Sequence, residues 1–215
     1  MHSENQYNRY LALKNIGFVP KRILDVGAYH GNWSLMMKEI YPDASFSLVE
    51  ANKNCLELIK KNGFDDVKIA VAGECEKLVD FYVCQTGCEE GNSVFKEKSC
   101  FPFVKTQRKT TTLNELFPKQ SFDLIKIDAQ GSERNIVLGG VEIVTKASFV
   151  QLETQIQQYN AGAPFLINVI NFMHSIGFRV YDIIDHHYNS GQMLIQSDIL
   201  FANMDLQLFY LDCYS

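Results

Sequence analysis

The sequence predicts an α/β fold with a Rossmann-like, doubly wound sheet, and two observations carry this prediction. Apolar, strand-like runs alternate with stretches of helical periodicity, which is the βαβ rhythm of a parallel sheet. Four of these runs end at an acidic residue, and in open α/β sheets ligands bind outside the carboxyl ends of the strands. The four acids are Asp25, Glu50, Asp128 and Glu153. We therefore expect them to border one crevice.

The elements are predicted from periodicity along the chain. The strands are the apolar runs at 22–26, 45–49, 67–72, 122–127, 148–152, 178–184, 198–202 and 206–211. Helices are expected at 32–41, 53–62, 132–138 and 165–175. Residues 78–84 alternate as an antiparallel strand does, and residues 101–112 are rich in Thr, Val and aromatic side chains. A small inserted β-ribbon with a loop is therefore predicted over 75–112.

Length and composition favour one domain over residues 1–215. With 215 residues and 47% hydrophobic content, the chain has enough apolar material for one large core. Residues 1–20 are predicted to form an N-terminal helical cap on the sheet edge. The same pattern is compatible with a domain excised from a larger polypeptide, and the oligomeric state stays open.

The net charge and the cysteine spacing limit which binding partners and which cellular location are expected. A formal net charge of -5 disfavours nucleic acid, and the short basic cluster at 105–109 is interpreted as a solvated edge. The sequence has neither a signal peptide nor an apolar run long enough for a membrane span. Six cysteines without CxxC spacing predict reduced thiols and a cytoplasmic location.

The stretch I-L-D-V-G-A-Y-H-G at 23–31 predicts a ligand-binding loop between a strand and a helix. Gly27 and Gly31 permit a sharp turn and a close backbone approach. Tyr29 stands where a dinucleotide fingerprint needs its second glycine, so NAD binding is disfavoured. The spacing D-x-G-x-x-x-G resembles the loop of S-adenosylmethionine (SAM) methyltransferases, which makes Asp25, Gly27, Ala28, Tyr29 and Gly31 candidate cofactor residues. The alternative is a plain strand-to-helix turn.

Glu50 ends the second strand about twenty residues after this loop, where a Rossmann-like fold needs an acceptor for ribose hydroxyls. Its alternative role is that of an acid at a helix N-terminus, where the dipole favours it. The adenine pocket is expected from Ala51, Asn52 and the end of the third strand, including Ala72.

Four segments carry a family resemblance: D-V-G-A-Y-H-G-N-W-S, S-L-V-E-A-N, D-L-I-K-I-D-A-Q-G-S-E and Q-L-E. In this order they resemble the FkbM family of SAM-dependent methyltransferases, over residues 22–203. The block K-I-D-A-Q-G-S-E at 126–133 is similar to the family's K-[IV]-D-x-E-G-x-E. The resemblance implies a class I methyltransferase sheet of strand order 3-2-1-4-5-7-6 with the last strand antiparallel. It also implies O-methylation of small-molecule hydroxyls, often on sugars, glycolipids or polyketides.

The chain departs from the family pattern at two positions. Gln130 stands where the family usually has Glu, which removes one carboxylate from the active-site neighbourhood. Tyr29 replaces a frequent Asn in the cofactor loop, which alters how that loop closes on the methionine moiety.

The catalytic candidates are groups able to act as a general base on an acceptor hydroxyl. They are Asp128, Glu153, Glu133 and the cluster His186-His187-Tyr188, and of these Asp128, Glu153 and His186 are the predicted catalytic residues. Asp128 also belongs to the predicted cofactor site. Together, Asp128 and Glu153 are candidate ligands for Mg²⁺ or another divalent cation. For the histidines, exposed turn positions are an equally open alternative, and for Glu133 a helix first-turn acid is favoured.

The predicted function is a SAM-dependent O-methyltransferase that acts on a hydroxyl of a sugar, glycan or related small molecule. One alternative is a SAM-binding or scaffold domain without catalysis, which Gln130 motivates. A second alternative is an NAD-dependent sugar-modifying enzyme, which the missing central glycine disfavours.

Overall fold

The computed structural model describes residues 4–85 and 91–206 and contains ten strands within them. The strands are β1 (Arg22–Val26), β2 (Ser45–Glu50), β3 (Val67–Ile69), β4 (Val71–Ala72), β5 (Leu78–Cys84), β6 (Phe103–Thr111), β7 (Leu124–Ile127), β8 (Phe149–Gln155), β9 (Phe178–Tyr188) and β10 (Leu194–Asn203). The helices are α1 (Glu4–Asn15), α2 (Asn32–Ile40), α3 (Leu56–Lys61), α4 (Leu113–Leu116), α5 (Glu133–Gly139), α6 (Val141–Val144) and α7 (Leu166–Ser175).

The main sheet has seven strands in the order β3-β2-β1-β7-β8-β10-β9. β1 pairs in parallel with β2 and β7, and β7 pairs in parallel with β8. β10 runs antiparallel to both of its neighbours, β8 and β9. When the strands of this sheet alone are numbered, the order is 3-2-1-4-5-7-6 with an antiparallel last strand. The predicted fold class is confirmed.

Helices cover both faces of the sheet, so the central strands are buried on both sides and read as continuous apolar runs. All four residues of β7 and all seven of β8 are buried. The N-terminal helix α1 buries Tyr10 and Leu13, and the Tyr10 hydroxyl donates to Gln151 Oε1 at 2.5 Å. Gln151 belongs to β8, and Arg9 of α1 lies 3.4 Å from Asp182 in the edge strand β9, so α1 packs on a face of the sheet toward the β9 edge.

The predicted third strand is divided at Ala70 between two sheets. β3 pairs with β2 in the main sheet, whereas β4 pairs with β6 in a three-stranded sheet of order β4-β6-β5. The Ala70 amide donates to the Glu50 carbonyl, which holds the bend beside the end of β2. β5 and β6 form the antiparallel ribbon expected between residues 75 and 112.

Two sequence-based expectations on strands and thiols need correction. β9 continues to Tyr188, so the histidines thought to follow it lie within the strand. Cys84 is disulfide-bonded, so the expectation of six reduced cysteines is wrong at that position, while Cys75 and Cys100 have free thiols. Cys88, Cys213 and most of the strand predicted at 206–211 lie outside the described residues. Within the described residues, none of the helices is long and apolar enough to cross a membrane.

Candidate active site

A cavity of about 580 Å³ opens at the carboxyl ends of β1, β2, β7 and β8. Three of the four strand-end acids line it, namely Glu50, Asp128 and Glu153. Asp25 instead lies beneath the surface, fully buried, and accepts a hydrogen bond from Ser34 Oγ at 2.7 Å. Burial raises the pKa of the Asp25 carboxyl. Asp25 therefore contacts Ser34 of α2 and Lys126 of β7, and it is absent from the cavity lining.

Gly27 is required at its position by the approach of two backbone segments. Its φ is +76°, and a Cβ atom added there would lie 1.7 Å from the carbonyl oxygen of Asp128. The Gly27 and Ala28 amides both donate to the carbonyl of Val49, which ties the loop to β2. Gly31 ends the loop with a φ of +78° outside the cavity lining, and its added Cβ would make ordinary contacts with the side chains of Phe64 at 3.4 Å and Leu48 at 3.7 Å.

Tyr29 adopts a left-handed conformation with a φ of 48°. Asn and Gly favour this region, so the structure explains why Asn is frequent at this place in the loop. The Tyr29 ring stacks on His30 with 3.6 Å between ring centroids. Gly27, Ala28 and Tyr29 all line the cavity.

The Glu50 carboxylate is held by backbone amides at the edge of the cavity. Its Oε2 accepts from the Tyr29 amide at 2.6 Å, and its Oε1 accepts from the Asn52 amide at 2.7 Å. The residue is 8% exposed, and burial raises the pKa of its carboxyl. The carboxylate also accepts from the Ala51 amide, and its remaining lone pair can accept from a hydroxyl of a ligand in the cavity. Asn52 itself stays outside the lining and caps the turn Lys53–Cys55.

Apolar side chains cover the wall of the cavity beside Glu50. They come from the residue after β2, from Ala70 and β4, from the ribbon and from α5: Ala51, Ala70, Val71, Ala72, Phe81 and Ile136. The wall includes the predicted Ala51 and Ala72. It is suited to the faces of a purine ring, which gains from apolar contact.

Glu153 occupies the opposite part of the cavity and is 6% exposed. Its Oε2 accepts from Gln130 Nε2 at 2.8 Å, and its Oε1 accepts from Gln196 Nε2. Burial and the charges of Asp128 and Asp198 raise the pKa of the Glu153 carboxyl well above its ordinary value. A carboxyl of this kind exchanges a proton closer to neutral pH than an exposed one.

Gln130 connects Glu153 with Asp128, because its Nε2 also lies 3.3 Å from Asp128 Oδ1. The amide thus stands between the two carboxylates that the sequence suggested as ligands for a divalent cation. Lys126 Nζ lies 3.2 Å from the other Asp128 oxygen. Asp128 and Glu153 are therefore engaged by an amide and an ammonium group.

Lys126 is a site residue that the sequence-based reasoning did not select, although it stands out as a cation inside the apolar strand L-I-K-I. Its Nζ lies between Asp25 and Asp128, 3.5 Å and 3.2 Å away. Burial alone would lower the pKa of Lys126, but these carboxylates outweigh it and raise the pKa. The ammonium keeps its charge and fixes Asp128 at the cavity.

Glu133 shapes the loop that carries Asp128 and Gln130. Its Oε1 accepts from the amides of Ala129 and Gly131 at 2.9 Å and 3.0 Å. Burial raises the pKa of its carboxyl to about 7. Glu133 is absent from the cavity lining, which agrees with a structural role in the first turn of α5.

The choice of His186 as a catalytic residue is corrected by the register of β9 and β10. His186 is exposed, and its Nδ1 lies 3.1 Å from Ser197 Oγ, whereas neither residue lines the cavity. Its neighbour His187 does line the cavity, because side chains alternate between the two faces of a strand. The residues of β9 that face the site are therefore Asp185 and His187.

A sequence model of the methyltransferase FkbM domain matches residues 25–180. The chain belongs to the FkbM methyltransferase family. Family membership supports SAM-dependent methyl transfer by this FkbM chain. Among curated proteins, no sequence matches it significantly.

Solved structures resemble this FkbM chain in fold. The O-methyltransferase TomG from Streptomyces achromogenes, solved in complex with SAM, is 12% identical with a TM-score of 0.52, covering 94% of this chain and 81% of that chain. A candidate O-methyltransferase from Klebsiella pneumoniae is 15% identical with a TM-score of 0.52, covering 94% and 82%. A candidate RNA methyltransferase from Pyrococcus horikoshii is 14% identical with a TM-score of 0.53, covering 94% and 81%. Identities this low concern the fold alone.

Proposed function

We propose that this FkbM chain is an O-methyltransferase that uses SAM and acts on a hydroxyl of a sugar, glycan or related small molecule. The observation that carries the proposal is the division of one cavity into two chemically different parts. One part joins the glycine loop, the Glu50 carboxylate and an apolar wall. The other part is polar and contains Asp128, Gln130 and Glu153.

The residues of the first part fit SAM. The ribose diol has an acceptor in Glu50, whose carboxylate lines the cavity and is fixed by backbone amides. Adenine fits the small apolar wall, and the backbone at Gly27 and Ala28 would border the methionine end. When bound, SAM supplies an activated methyl group on a sulfonium centre.

The residues of the second part suit a hydroxyl acceptor. Amide and carboxylate groups offer both donors and acceptors, which a polyhydroxylated molecule needs for orientation. Glu153 is the group we assign as general base, because its raised pKa lets it take the proton that the acceptor hydroxyl gives up. Asp128 and Gln130 position the acceptor, while Lys126 holds Asp128 in place.

Calorimetric titration with SAM tests the cofactor assignment. We expect binding in the micromolar range and at least about tenfold weaker binding in Glu50→Gln, since a hydrogen bond to a charged group contributes about 1.5–3 kcal/mol. Glu57→Gln is the matched control, because it makes the same change at an exposed position of α3. Equal affinity of wild type and Glu50→Gln would contradict the role of Glu50.

Transfer of a labelled methyl group to a panel of neutral sugars and glycans tests the acceptor class. Labelled product at a hydroxyl supports the proposal. SAM binding without transfer to any hydroxyl acceptor would favour the alternative of a SAM-binding domain without catalysis.

A further inference from the structure

We infer that Asp185, His187 and Asp198 form a binding site for a divalent metal ion at the acceptor end of the cavity. All three residues line the cavity. Each offers one ligand atom, and these three atoms lie within 4.8 Å of one another. The set combines two carboxylates with one imidazole, and so differs from a purely acidic surface cluster.

The backbone holds these three side chains in a fixed relation. β9 and β10 are paired antiparallel, and Asp185 stands directly opposite Asp198. His187 lies two residues further along β9, so it projects from the same face. Sites on paired strands hold ligand geometry better than sites on loops, because the ladder hydrogen bonds fix the distance between the strands.

The charge around Asp198 favours a cation as the ligand. Asp198 is 5% exposed, and a buried carboxylate is costly unless it is paired with positive charge. The nearby ammonium of Lys126 already lies between Asp25 and Asp128. The imidazole of His187 lies 3.8 Å from Asp198 Oδ2, so it supplies a positive partner only when it is protonated, and a metal ion can take that place when it is neutral.

An amide donor now stands where such a cation would bridge the two carboxylates. Gln6 Nε2 donates to Asp198 Oδ2 at 2.6 Å and to Asp185 Oδ2 at 3.3 Å. Both carboxylates thus direct an oxygen toward one point within the cavity. Rotation of the Gln6 amide by half a turn would present its oxygen to the same point and add a fourth ligand.

The donor set indicates the class of metal. Two carboxylate oxygens and one imidazole nitrogen suit Mn²⁺, Fe²⁺, Co²⁺ or Zn²⁺ better than Mg²⁺, which prefers oxygen ligands throughout. Coordination positions that face the cavity would be open to an oxygen of the acceptor. This functional part rests on the proposed methyl transfer, where the metal would orient an acceptor hydroxyl and lower its pKa.

Titration of the full chain with Mn²⁺ tests the site without any measurement of activity. Protein treated with a chelator and freed of it is titrated at pH 8, and free Mn²⁺ is followed by electron paramagnetic resonance. We expect one bound ion per chain and at least a tenfold loss of affinity in Asp198→Asn and His187→Ala. His186→Ala is the matched control, because it removes an imidazole from the opposite face of β9.

The outcomes separate this inference from the proposed function. Absence of Mn²⁺ binding, or equal affinity in wild type, Asp198→Asn and His187→Ala, would overturn the metal site. If the protein binds no metal but binds an amino sugar more tightly than the neutral sugar, the Asp185 and Asp198 carboxylates bind an ammonium group of the acceptor. This result would also overturn the metal site. SAM titration of the same samples reports on the proposed function independently. Circular dichroism verifies that each variant is folded.

Discussion

Substitution of Gly27 by Ala tests whether the loop is fixed by contact between two backbone segments. A left-handed conformation costs an ordinary residue about 1–2 kcal/mol. At Gly27 the added Cβ would also have to separate from the Asp128 carbonyl oxygen, from 1.7 Å to at least 3.0 Å. This atom belongs to the backbone at the end of a buried strand, so β1 and β7 must shift against each other. We expect a total loss of about 4 kcal/mol or more.

Gly31→Ala is the matched comparison. Its φ of +78° imposes the same conformational strain, but its Cβ would make only an ordinary contact with the Phe64 side chain at 3.4 Å. We expect a loss of about 1–2 kcal/mol there. Urea unfolding measures both free energies, and calorimetry on the folded fraction measures SAM affinity. Equal losses of stability in the two variants would refute the argument from the Asp128 contact.

The remaining predictions concern buried polar groups. Glu153→Gln should lower the rate of methyl transfer by about 10²- to 10⁴-fold while SAM affinity stays within about twofold, as seen in single-turnover assays and calorimetry; an unchanged rate would exclude Glu153 as the base. The pKa of Glu133 is raised to about 7 in the folded state, so its contribution to stability is complete below about pH 4.5 and is lost as the pH rises toward 7. Urea unfolding at several pH values measures how the free energy of unfolding falls between about pH 4.5 and 7, and this fall should be smaller in Glu133→Gln than in wild type. An identical fall in both proteins would contradict the raised pKa of Glu133. Tyr10→Phe removes the 2.5 Å hydrogen bond to buried Gln151 and should cost about 1–3 kcal/mol in urea unfolding; a neutral effect would show that Gln151 finds another partner.

The parts of the site that were predictable from sequence depend on local rules. Glu50, Asp128 and Glu153 line one cavity because parallel strands present their carboxyl ends at the same side of a sheet. The glycines of the loop were recognisable because few residues tolerate a positive φ. The strand order came from the family resemblance, since periodicity alone does not specify which strands are neighbours.

Other features depend on relations that a single sequence does not contain. The choice between His186 and His187 is a matter of strand register, and a shift of one residue exchanges the two faces. The pairing of β10 with β9 contains register shifts. Counting residues from the turn between them therefore gives neither the length of the strands nor the face on which each side chain lies. The sequence also explained only part of the need for glycine at position 27. An added Cβ would collide with the backbone of Asp128, which lies more than a hundred residues later in the chain. Asp25 was predicted to face the ligand because its position at the end of a strand does not reveal that its side chain is fully buried.

The bend at Ala70 makes one short stretch serve two sheets. The glycine loop and Glu50 are anchored to the main sheet, whereas Phe81 reaches the cavity from the ribbon that β4 joins. Insertions or exchanges in the ribbon can therefore change the apolar wall assigned to adenine without moving the glycine loop or Glu50. We expect chains with this architecture to vary mainly in the contacts of that wall, while the glycine loop and Glu50 stay constant.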